Sequence, residues 1–174
     1  MRRAFDRTAT DRFPVALDAA LQEAGWHAGR WDMKQAEIWA DSLRAHASPA
    51  GHRHAVFPAA VEAWAEFGGL HITGTGPGRH IAPTPLLIDP MCGLHLARTL
   101  ADLGRALETE ICPLGEETPG PAEPGSGRAV LAIDIEGRVY SLDHTGDWYL
   151  GPKIDDALAT LVLGERPARL TIAD

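Results

Sequence analysis

Apolar residues recur at helical spacing in five stretches of the sequence, and at strand spacing in several shorter ones. Phe13, Leu17, Ala20, Leu21 and Ala24 share one face of a helix expected from about Pro14, which suits a first helical turn, to Ala24. Gly25 is its stop. Asp32 is placed to cap a second helix while Gln35 reaches back. Its stripe is Ala36, Trp39, Ala40, Leu43 and Ala47, and Ser48-Pro49-Ala50-Gly51 is the turn that ends it. The third helix carries Val56, Ala60, Ala63, Trp64 and Phe67, and is closed by Gly68-Gly69. A fourth, from about Gly93 to Glu108, aligns Leu96, Leu100, Leu103 and Leu107; a fifth, from about Lys153 to Leu163, aligns Ile154, Leu158, Leu161 and Val162 before Gly164.

Between these lie strands. Leu70–Thr73 and Ile81–Ile88 flank a Gly/Pro loop, and Ala129–Ile135 and Arg138–Leu142 are joined by Glu136-Gly137, which fits a two-residue hairpin turn. Trp148–Leu150 adds a strand after the turn residues His144-Thr145-Gly146-Asp147. The Pro, Gly and Glu of Gly115–Gly127 predict a surface loop, flexible over 116–127 and too short for a domain linker. The order helices, strands, helix, strands, helix predicts an α+β fold: one domain, 14–174, with a central, largely antiparallel sheet, helices packed around it, and an N-terminal extension at 1–13.

At 174 residues the chain is long enough to hold a core without a disulfide or metal, so Cys92 and Cys112 read as small buried thiols. No stretch approaches the apolar length of a membrane span. The start, MRRAFDRTATDRF, lacks the apolar region of a secretory signal, which predicts a cytoplasmic protein. A net charge of −8 argues against a nucleic-acid partner. The charge is uneven: 108–147 holds nine acidic residues against Arg128 and Arg138, which makes this segment a candidate docking region for a basic protein.

Candidate chemistry is sparse. Thr73–Arg79 (TGTGPGR) lacks the Lys-Ser/Thr of a phosphate loop, has Arg79 where a dinucleotide fingerprint has its third glycine, and loses a backbone donor at Pro77. It reads as a flexible connection. His52-Arg53-His54 supplies two imidazoles but no further ligands, and reads as a solvated loop. Cys92 and His95 have a C-x-x-H spacing without a second pair. Asp143-His144 is the one acid/base neighbour pair, in what looks like a hairpin turn, and Asp134 and Glu136 read as carboxylates that keep a strand end soluble. No cofactor, metal or catalytic residue is expected. Trp39 and Trp64 belong to helical stripes and read as core; Trp26 and Trp31 bracket the tight segment AGWHAGRWD, with Trp26 lying back over the first helix end.

A helix ending in AGW-x-x-GR (Ala24–Arg30), a third helix running into EFGGL (Glu66–Leu70), a leucine-rich helix, CPLGE (Cys112–Glu116), the hairpin AIDIEGRVYSLD (Ala132–Asp143) and a terminal DDALATLVLG (Asp155–Gly164) follow in order. In this order and spacing they resemble the third subgroup of the SUKH superfamily of bacterial immunity proteins, across about 14–164. The resemblance implies a binding module that neutralises a polymorphic toxin, often a nuclease or deaminase, and has no catalytic residues. It implies structural roles for Trp26, Gly29, Arg30, Gly68, Gly69, Pro113, Gly115, Asp134, Gly137 and Arg138. The charge count, rather than the resemblance, makes Glu116, Glu117, Glu136, Asp143 and Asp147 candidate toxin-binding residues, expected to be exposed, with Trp148 and Tyr149 as anchor. A small hydrolase using Asp143 and His144, and an adaptor for a protein other than a toxin, are the rival readings.

Overall fold

A computed structural model describes residues 12–118 and 128–171. The extension at 1–13 lies outside the described residues except for Arg12 and Phe13, as does 119–127 of the expected loop. In chain order the elements are α1 (Val15–Ala24), α2 (Met33–Ala45), α3 (Pro58–Phe67), β1 (His71–Ile72), β2 (Leu86–Leu87), a 3-10 segment (Pro90–Leu96), α4 (Ala97–Leu107), β3 (Ile111–Glu117), β4 (Ala129–Asp134), β5 (Val139–Asp143), β6 (Gly146–Gly151), α5 (Ile154–Val162) and β7 (Ala168–Arg169). The strands form one antiparallel sheet in sequence order, β1 to β7. This is the α+β single domain expected from the element order.

Alternation along the strands divides the apolar residues between two faces. Leu131, Ile133 and Val139 point into the main core, where they meet Leu17, Leu21, Leu43, Trp64, Phe67 and Leu158. Ala132 lies on the opposite face, in a smaller cluster with Leu100 and Leu103 of α4 and Ile111. Trp64 is fully buried, and its indole N–H donates to the Pro113 carbonyl at 3.2 Å, tying α3 to β3.

Five expectations change. β3 falls where the sequence predicts no strand, because Pro113 and Gly115 are strand breakers. The register shifts between these two residues, which takes up the missing proline donor in a local bulge. A Cβ on Gly115 would come within 2.0 Å of the Leu87 carbonyl oxygen, so the close approach of β2 requires glycine. The expected strand over Ile81–Ile88 shrinks to Leu86–Leu87. Pro83 and Pro85 remove ladder donors, and the Arg79, His80 and Ile81 N–H groups bond to Leu163 and Gly164 at the end of α5. The Gly/Pro loop is therefore docked rather than loose: a Cβ on Gly78 would lie 1.7 Å from the Ile81 carbonyl oxygen. The expected helix from Gly93 begins as the 3-10 segment, where Gly93 packs so closely on Pro113 that a Cβ would lie 2.7 Å from its ring. Finally, His54 is buried, with Nε2 donating to the Leu94 carbonyl at 2.6 Å, so that loop is not wholly solvated; burial lowers its pKa.

The helix ends follow the local rules. Gly25, at φ +107°, closes α1 with paired bonds from its own N–H to Gln22 and from the Trp26 N–H to Leu21. Glu108 closes α4 in the same way at φ +55°, a left-handed conformation that costs an L residue about 1 kcal/mol or more. Glu108→Gly is expected to raise stability by about 1 kcal/mol in urea unfolding, the net of relieved strain and greater chain freedom; a loss of stability would show that Glu108 contributes something beyond its backbone.

Candidate functional site

The β4–β5 turn is built around one carboxylate. Asp134 has no exposed surface. Its Oδ1 accepts from the Glu136 and Arg138 N–H groups, each at 2.9 Å; its Oδ2 accepts from Arg138 Nε at 2.6 Å and from the Tyr140 hydroxyl at 2.8 Å. The turn has three residues, 135–137, rather than the expected two. Asp134 N–H bonds to the Arg138 carbonyl, Gly137 N–H bonds to the Asp134 carbonyl, and Gly137 sits at φ +90°. Asp134 thus organises the turn from inside instead of keeping a strand end soluble. Its charge raises the pKa of the Tyr140 hydroxyl, after burial as the larger cause.

A second clamp joins the segment after α1 to the end of α3. Trp26 is buried, edge-on to Phe13 at 5.3 Å, and its Nε1 donates to Glu66 at 3.1 Å. Arg30 donates to the Glu66 carbonyl at 2.6 Å and to the Gly68 carbonyl at 2.9 Å. Arg12 bridges Glu66 and Asp155, and these two carboxylates raise its pKa further. Gly68 has no room for a side chain, since a Cβ would lie 2.3 Å from the Trp64 carbonyl oxygen and 2.5 Å from the Trp39 ring. Gly29 and Gly69 adopt positive φ in open space. The central part played by Glu66 is not visible in the sequence, because a glutamate between two core residues of a helix carries no spacing signal.

The seven candidate binding residues do not lie together. Glu117, Asp143 and Trp148 line one pocket of about 310 Å3 with Ile81 and Arg166. Glu116, Asp147 and Tyr149 belong to the opposite face of the sheet, as their cross-strand partners show. Glu136 is at the far end of the β4–β5 hairpin, between a groove of about 320 Å3 that includes Trp31 and one of about 630 Å3 that includes His54. Of the five acidic residues only Glu136 is exposed. Glu116 and Glu117 are partly buried because they lie in β3, not in a loop, and Glu116 pairs with Arg128 at 3.1 Å. Tyr149 rests on Tyr140 and Trp148 lies under Arg169, so neither ring is free on both faces. The most exposed indole is that of Trp31, 52% exposed, which in the sequence stands out only as a bracket of the tight segment.

Asp143 and His144 do not form an acid/base pair. Asp143 Oδ1 accepts from Thr145 N–H at 2.7 Å, from its hydroxyl at 2.5 Å and from Gly146 N–H at 3.1 Å, which lowers its pKa against the effect of burial. His95 packs edge-on to His46 at 5.2 Å, and Cys92 and Cys112 are free thiols, with burial pushing Cys92 up to about 11. Among the described residues no group of three His, Cys, Asp or Glu is spaced to hold a metal ion, and no helix is long and apolar enough to cross a membrane.

In this α+β domain Asp134 holds the β4–β5 turn and Glu66 the end of α3. The chain matches the SUKH-3 immunity protein family over residues 13–164 and belongs to that family. No curated protein and no solved structure matches it.

Two variants test this reading of the buried carboxylates. Asp134→Ala strands four donors and is expected to cost about 3–5 kcal/mol in denaturant unfolding; a change under about 1 kcal/mol would remove Asp134 from its central place. Glu117 is the reverse case: burial raises its pKa, and Ser141 is its hydrogen-bond donor. A raised carboxyl pKa means stability that is fully present below the ordinary glutamate range and lost as pH rises through the folded value. Glu117→Gln is therefore expected to melt above the parent at pH 7, with the gain vanishing near pH 4; a gain that is independent of pH would assign the effect to something other than the charge.

Proposed function

We propose that the protein neutralises a toxin by binding it stoichiometrically, without catalysis, in the cytoplasm of the cell that makes the toxin. The observation that carries this is the family match over nearly the whole chain, since an immunity family implies a toxin partner. The finer reading is that the toxin is basic and acts on nucleic acid. A toxin of that kind needs a cationic surface to hold phosphates, and a chain of net charge −8 complements such a surface. Glu116, Glu117, Asp143 and Asp147 contribute to that field from both faces of the sheet. Steering acts over about a Debye length, roughly 8–10 Å at physiological salt, so these residues need not touch the partner.

Co-expression with the toxin domain that this reading expects a neighbouring gene to encode tests it. Growth should be rescued, the two proteins should co-purify at equal stoichiometry, and the association rate should fall steeply as sodium chloride is raised. Rescue without a stable complex would favour a catalytic protein. Absence of rescue together with capture of a protein other than the toxin would favour an adaptor. A stable complex whose association ignores salt would keep the immunity reading and remove the basic partner.

A further inference from the structure

We propose that the groove between Trp31 and the β4–β5 turn is the docking site for the partner, and that it receives a lysine- or arginine-bearing segment of that protein. A cationic side chain would lie on the Trp31 indole between Glu62 and Glu136. The inference rests on the immunity reading for the identity of the partner, and on the groove itself for the chemistry.

Trp31 is half exposed, yet its backbone is fixed on both sides. Arg30 is locked to the Glu66 and Gly68 carbonyls. Asp32 donates its N–H to the Ala65 carbonyl at 2.8 Å and caps α2 by accepting from Gln35 at 3.0 Å. An exposed indole on an immobile backbone forgoes burial in the free protein and loses little freedom when covered, which is the combination that makes tryptophan a frequent binding anchor. The opposite wall is equally fixed, since Asp134 holds the turn that carries Glu136, whose side chain is 68% exposed. The two clamps thus hold two displayed groups across one groove of about 320 Å3.

Charge selects the occupant. Glu62, Glu66 and Glu136 line the groove against Lys153 alone. Glu66 is already engaged by Arg12 and Trp26, whereas Glu62 is exposed and has no ion pair among the described residues. Among the described residues the ion-pair partner of Glu136 is Arg138, at 3.4 Å. A cation on the indole face gains from the ring quadrupole and from both carboxylates. A nucleic-acid backbone would meet repulsion from the same groups.

The test has a toxin arm and a toxin-free arm. Against the inactivated toxin domain, Trp31→Ala and the pair Glu62→Lys with Glu136→Lys should each weaken binding by about 30-fold or more, with melting temperature unchanged. The reversal of Glu37 and Asp41 to lysine, on the exposed part of α2, should weaken it much less. Binding by Trp31→Ala within about 3-fold of the parent would overturn the groove and leave the immunity reading standing. Without the toxin, N-acetyl-arginine amide should shift the Trp31 indole N–H resonance of the parent and not of the Glu62→Lys/Glu136→Lys variant. Absence of that shift overturns the groove whether or not the toxin binds. A parent that is dimeric, and monomeric only as Trp31→Ala, would assign the groove to a second copy of the chain and likewise overturn the proposal.

Discussion

A carboxylate with no exposed surface must be met by donors from every side, and Asp134 imposes that requirement on the β4–β5 hairpin. Its two oxygens take two backbone N–H groups, one guanidinium N–H and one phenolic hydroxyl, and those four directions set the three-residue turn with Gly137 in a left-handed conformation. Because the turn length sets strand register, the same bonds decide that Ile133 and Val139 face the main core while Ala132 and Tyr140 share the opposite face. A hairpin one residue shorter would turn β5 over relative to β4, so that Val139 would no longer share a face with Ile133. Glu136 and Ile135, which have no place inside, are left at the tip in solvent.

The clamp around Glu66 solves a different problem. The chain between α1 and α2 puts one apolar side chain, Trp26, into the core and is otherwise held by polar contacts with the end of α3. Arg30 supplies them by donating to two carbonyls that α3 leaves without helical partners. At this end of the sheet each buried charge has a designated counterpart. At the other end Glu117 has a hydroxyl donor and a like charge nearby, and no cation bonded to it among the described residues. The molecule is therefore electrostatically uneven, tight where the turns are held and tense where β3 ends.

The helices were legible because their apolar stripes repeat over about two and a half turns or more. α1, α2, α3 and α5 fall within two residues of their expected limits. β3 was not, because Pro113 and Gly115 signal a loop wherever no partner strand is known, and only the bulge beside β4 makes them tolerable. The Asp134 motif was visible as a pattern but not as chemistry: nothing in D-x-x-G-R tells a solvent-facing carboxylate from a buried one. The acidic segment misled for a simpler reason. Glu116 and Glu117 are neighbours in sequence, but in a strand neighbours point to opposite faces, so a charge count over consecutive residues cannot define one surface.

That separation changes what acidity can mean for binding. Carboxylates divided between two faces of a sheet still sum to one long-range field, and a field needs no common face to orient an approaching cation. Contact is a short-range matter, decided where apolar surface is exposed on a backbone that does not move. The first property belongs to the composition and survives the loss of any single carboxylate. In the proposed groove the second would belong to Trp31 and Glu136, whose supports are two hydrogen-bonded clusters, centred on Glu66 and Asp134. Motif residues that look purely structural can in this way be the ones that determine binding, because they fix the geometry of a surface they do not themselves form.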